Sequence, residues 1–120
     1  MADDKAQLSV STEGDVKVVQ LTDSKILDEV SIMRIGKALT ELVAQTIPPK
    51  IVLDFVNVGH MSSSALGMLI TLQKRVRENK GDLRLCCIQP TIYEVFVITR
   101  LNEIFQIHES VQDALASLAE

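Results

Sequence analysis

The run Ile51-Val52-Leu53-Asp54-Phe55-Val56 is short, nearly all apolar and rich in β-branched residues, with Pro48-Pro49 just before it. A strand that alternates apolar and polar residues can leave one face wet, whereas a continuous apolar run needs cover on both faces. This segment is therefore expected to be a central, parallel strand of a sheet with helices packed on it. That requirement restricts the chain to an α/β architecture.

The flanking segments fit that frame. Leu8 and Val10 alternate with polar residues, and Val16, Val18 and Gln20 resume the period-2 pattern after Glu13-Gly14-Asp15, which predicts a β-hairpin with a glycine turn. From Asp28 the period changes: Ile32, Ile35, Leu39, Leu42 and Val43 recur at helical steps until Pro48-Pro49 ends the helix. Beyond the central strand, Leu66, Leu69, Ile70, Gln73 and Val76 mark one face of a second helix, and Lys74, Arg75, Arg77 and Glu78 mark its solvated face. Asn79-Lys80-Gly81 supplies the stop.

Leu83–Ile88 is expected as the next strand, Pro90-Thr91 as the start of a helix carrying Ile92, Val95, Phe96 and Thr99, and Phe105–Ile107 as a last short strand. Ser110 is placed to cap a terminal helix bearing Val111, Ala114, Leu115 and Leu118. The order ββαβαβαβα predicts a single α/β domain over residues 1–120, with a mixed, mostly parallel sheet, an N-terminal hairpin and about four helices.

Composition removes several function classes. Hydrophobic residues make up 47% of the 120, enough for one core, and the net charge of -4 with both signs interspersed argues against binding nucleic acid or anionic lipid. Apolar runs fall far short of the roughly 20 residues that span a bilayer, so no membrane insertion is expected. The opening MADDKAQLSV is acidic where a secretion signal is basic, which points to the cytoplasm.

The only two cysteines, Cys86 and Cys87, are sequence neighbours. Their Cα atoms should lie about 3.8 Å apart, closer than the roughly 4.4–6.8 Å of ordinary disulfides, so both are expected reduced and packed around a strand. With His60 and His108 they show no metal-site spacing. No metal and no cofactor are expected.

In open parallel sheets, sites lie beyond the carboxyl ends of the strands. The loop there reads Gly59-His60-Met61-Ser62-Ser63-Ser64-Ala65-Leu66-Gly67. One serine is accounted for as a helix N-cap, worth about 1 kcal/mol. The pattern is not G-x-S-x-G, His60 has no orienting acid nearby, and no lysine follows Gly67 as a phosphate loop would need, so neither hydrolysis nor nucleotide binding is expected and the chain is read as a non-enzyme. A serine here is suited to a switch: phosphorylation adds about -1.5 to -2 charges at pH 7, and a helix N-terminus tolerates that charge.

The segment Val52-Leu53-Asp54-Phe55-Val56-Asn57-Val58-Gly59-His60-Met61-Ser62-Ser63-Ser64-Ala65-Leu66-Gly67 resembles the STAS-domain signature of bacterial anti-sigma factor antagonists, in which an apolar strand ending in Asp leads to Met-Asp-Ser-Ser-Gly-Leu-Gly. The element order resembles the family's over nearly the whole chain. The resemblance implies that Ser63 is the phosphoacceptor, with Ser64 as second choice. It also implies binding, when unphosphorylated, to an anti-sigma factor that is itself a serine kinase, release on phosphorylation, and restoration by a phosphatase. Ser62 stands where the family has Asp, and Ala65 where it has Gly. The implied partner surface is Met61, Ser62, Ser63 and Ser64, joined by a loop acid that is either Asp23 or Asp28, with Asp23 favoured as the exposed one. On the following helix Ala65, Met68 and Leu72 lie three and four apart, off the main core stripe, and either widen the buried face or extend the partner surface as a Met-containing patch beside Ser63. The alternative is a STAS subunit of a stress-signalling or transporter complex that is not phosphorylated.

Overall fold

The computed structural model describes residues 8–45 and 47–119; the acidic N-terminal stretch, residues 1–7, lies outside the described residues. Strands β1 (Leu8–Glu13) and β2 (Val16–Leu21) form the expected antiparallel hairpin, turning at Gly14, whose φ of 64° is left-handed. Helix α1 (Glu29–Gln45) follows a two-residue strand β3 (Lys25–Ile26), and β4 (Lys50–Asp54) is the central strand. A two-residue β5 (His60–Met61) precedes α2 (Ser63–Glu78), then come β6 (Asp82–Cys86), α3 (Pro90–Ile98), β7 (Gln106–His108) and α4 (Val111–Leu118).

The five-stranded sheet has the order β1-β2-β4-β6-β7, with every pair after the hairpin parallel. Alternation along the strands divides the core in two. Val19, Leu21, Ile51, Leu53, Leu83 and Leu85 pack against α1, α2 and α3 on one face, while Val16, Val18, Val52 and Cys86 pack against α4 on the other. The central strand is covered on both sides, as its composition requires.

Three local expectations need correction. Strand β4 stops at Asp54 and Val56 is half-exposed, because the Asp54 carboxylate accepts a hydrogen bond from the Val56 N–H (2.9 Å) and turns the chain off the sheet. The buried stripe of α2 is Ala65, Leu66, Leu69, Leu72 and Val76, whereas Ile70 is 41% exposed. Helical spacing allowed either stripe; packing of α2 against α1 as well as the sheet selected this one. The left-handed residue that ends α2 is Lys80 (φ 61°), and Gly81 serves another need: a Cβ there would collide with the carbonyl oxygen of Pro49.

Candidate functional site

Two loops at the carboxyl end of the sheet are stitched together by backbone hydrogen bonds. The Ser24 carbonyl accepts from the N–H groups of Gly59 (2.8 Å) and His60 (3.1 Å), and the Ile26 carbonyl accepts from Ser62 (3.1 Å). These bonds build the small parallel sheet β3-β5, in which Lys25 pairs with His60 and Ile26 with Met61. Two-residue strands are too short to carry a readable period. They fix the serine loop beside the loop carrying Asp23.

The three serines have three different jobs. Ser62 is the N-cap of α2: its backbone is extended, its Oγ accepts from the Ala65 N–H (3.2 Å) and its carbonyl accepts from Leu66 (3.2 Å). Ser64 is exposed and its hydroxyl donates to Glu29 Oε2 of α1 (3.3 Å). Ser63, the first residue of the helix, is exposed, and its hydroxyl makes no hydrogen bond among the described residues. Its position puts that hydroxyl at the positive end of a 16-residue helix whose first turn holds no acidic residue.

Around these serines the other predicted partner residues separate. Ala65 (0% exposed) and Leu72 (3% exposed) belong to the core between α1, α2 and the sheet, which removes them from the partner surface. Met61 and Met68 are half-buried and pack on the edge of that core. Met68 lies close against α1 at Gly36, where an added Cβ would sit 3.1 Å from its Cγ. Asp23 is half-buried, less open than expected of the exposed loop acid. Asp28 caps α1, accepting from the Ser31 N–H (3.0 Å), and that bond holds its carboxyl below the usual carboxylate range.

Sequence reasoning missed an adjoining apolar surface on α1 and the residues just before it. Leu27, Val30 (56% exposed) and Met33 (71% exposed) face solvent, and Met33 borders a groove of about 400 Å³ between α1 and α2 lined by Ile32, Gly36, Lys37, Met68 and Leu72. The signal was present: Val30 and Met33 are apolar yet fall off the buried stripe Ile32, Ile35, Leu39 and Val43. Glu29 was missed as well, since nothing in its local sequence points to Ser64, 35 residues away. The arrangement can bind a protein through exposed apolar side chains and offer one free hydroxyl at the rim.

The STAS domain family matches residues 7–114. BtrV of Bordetella bronchiseptica, assigned as an anti-sigma factor antagonist, is 32% identical over 68 residues, a span of 57% of this chain and 59% of that protein. The anti-sigma F factor antagonist of Paenibacillus polymyxa is 23% identical over 93% of this chain and 94% of its own length. Among solved structures, the anti-sigma-factor antagonist (STAS) domain protein of Planctomyces limnophilus aligns with a TM-score of 0.86 and 24% identity, covering 94% of this chain and 98% of that one.

Proposed function

The chain belongs to the STAS domain family, and we propose that it acts there as an anti-sigma factor antagonist whose binding is switched at Ser63. In its unphosphorylated state it docks an anti-sigma factor with serine-kinase activity on the surface made by Ser63, Ser64, Met61, Met68, Val30 and Met33. Phosphorylation of Ser63 ends the complex, and a phosphatase restores it. The names of the two relatives support the role. The observation that carries the switch is the state of the serines: Ser62 is committed to capping, Ser64 is tied to Glu29, and Ser63 is free and exposed.

The two departures from the family signature are compatible with this reading. Ser and Asp are comparable N-caps, so Ser62 keeps the capping function and gives up only the charge. The methyl group that Ala65 adds points into the core and meets no partner. A phosphate on Ser63 would gain from the helix N-terminus, so the fold tolerates it. It would also bring about -1.5 to -2 charges to a docking surface that already carries Glu29 near Ser64. The domain stays folded while the partner is repelled.

The test is to incubate the protein with an anti-sigma factor kinase from the same cell and ATP, map phosphate by mass spectrometry, and measure retention on the immobilised kinase. Phosphate on Ser63, with retention lost in Ser63→Asp and kept in Ser63→Ala, is the expected result. A stable complex indifferent to Ser63→Asp, with no phosphate on Ser63 or Ser64, would favour a constitutive STAS subunit instead.

A further inference from the structure

Gln20, Asp54, Cys86 and His108 are register partners in one row across β2, β4, β6 and β7. Paired residues of parallel strands share a face, and Cys86 packs with Val52 against α4, so the row lies on the face opposite α1 and α2. Consecutive strand residues point to opposite faces, and Cys87 would ordinarily turn away from this row. Instead Cys87 has a φ of 61°, left-handed and costly for a residue with a side chain. One ligand atom each of Asp54, Cys86 and Cys87 then lies within 4.8 Å of the others.

The carboxylate in this cluster is buried (7% exposed) and held on both oxygens, Oδ1 by the Val56 N–H (2.9 Å) and Oδ2 by Gln20 Nε2 (3.2 Å). Such outer bonds orient a ligating carboxylate and raise its fitness as a donor. Next to the cluster, His108 buries Nε2 with no hydrogen-bond partner among the described residues. Cys87 is half-buried and so leaves an approach from solvent.

We propose that Asp54, Cys86 and Cys87 form a binding site for one Zn²⁺ ion. Zinc takes sulfur at about 2.3 Å and carboxylate oxygen at about 2.0–2.2 Å in a tetrahedron, so neighbouring ligands sit roughly 3.3–3.8 Å apart and these donors need close by only about an ångström. The fourth position is left for water. As the two Zn–S bonds form, both thiol protons leave to solvent; the site then holds three negative ligands and a dication, the same net charge as one carboxylate beside two thiols. That equality matters in a buried place, where an added net charge is strongly disfavoured. Two thiolates also select against Mg²⁺ and Ca²⁺, which prefer oxygen ligands throughout.

Because Cys86 and Cys87 are the only cysteines, a thiolate-to-metal charge-transfer band reports on this site alone. The test is an anaerobic titration of the reduced full chain with Cd²⁺, repeated on chain first loaded with Zn²⁺, with Zn²⁺ affinity measured by competition against a chromophoric chelator. The expected result is a band that saturates at one equivalent and needs more Cd²⁺ to develop once Zn²⁺ occupies the site. Cys87→Ser, at a half-buried position, should halve its intensity, and Asp54→Asn should weaken affinity by about 10-fold or more. No band in the wild type, an undiminished band in Cys87→Ser, or unchanged affinity in Asp54→Asn would each overturn the assignment.

Discussion

Helices α2 and α4 begin with the same device. Ser62 accepts a hydrogen bond from the Ala65 N–H (3.2 Å), and Ser110 accepts one from the Asp113 N–H (3.0 Å). Beyond the cap they diverge. The first turn of α4 contains Asp113, which answers the helix dipole, and its apolar face is spent on the sheet. In α2 the first turn holds no acid, two further serines are exposed, and the apolar residues of α1 stand open beside it. A capping serine is thus architecture at both places, and the proposed site is what α2 adds to it.

Several substitutions can break or sharpen this contrast. The largest effect is expected in the body of α2, where Leu72→Ala should cost about 2–5 kcal/mol in denaturant unfolding yet leave the partner affinity of the folded fraction unchanged. A loss of affinity beyond the unfolded fraction would return Leu72 to the docking surface. Next, Met33→Ala should weaken partner binding by about 1–2 kcal/mol with little change in unfolding free energy, since the side chain is 71% exposed. Ser62→Ala and Ser110→Ala should each cost about 1 kcal/mol of stability, because both remove the same bond. Unequal costs well outside that range would mean that the two caps are not equivalent.

The smallest effect concerns the cap of α1. The Asp28 carboxyl is held below its ordinary value by the Ser31 N–H, so its contribution is present above the usual carboxylate range and is lost as pH falls through the lowered value. Asp28→Asn should therefore flatten the acid limb of the stability profile and change little at neutral pH. An unchanged acid limb, measured by thermal unfolding across that range, would argue against the cap.

The fold was legible because its signals are long: a six-residue run with five apolar residues at the central strand, and 16- and 17-residue helices with clear stops. What escaped was fixed by tertiary packing. Leu66, Leu69 and Ile70 suggested one phase for α2, and contact with α1 imposed another that buries Leu72 and frees Ile70. The serine loop was found from its place after the central strand, whereas Glu29 and Met33 reach it only once α1 packs on α2. Likewise, a search for cysteine and histidine spacing could not include Asp54, which strand register places opposite Cys86. Distances across a sheet are not written in local spacing.

The central claim is that one free hydroxyl at the tip of α2 governs binding while the matching cap of α4 does not. It is tested most directly by titrating the anti-sigma factor partner calorimetrically into the wild type, the Ser63-phosphorylated protein and Ser110→Asp. The account predicts that phosphate on Ser63 lowers affinity by about 10-fold or more, equivalent to about 1.4 kcal/mol, and that Ser110→Asp binds as the wild type does. Equal affinity with and without phosphate on Ser63 would contradict it.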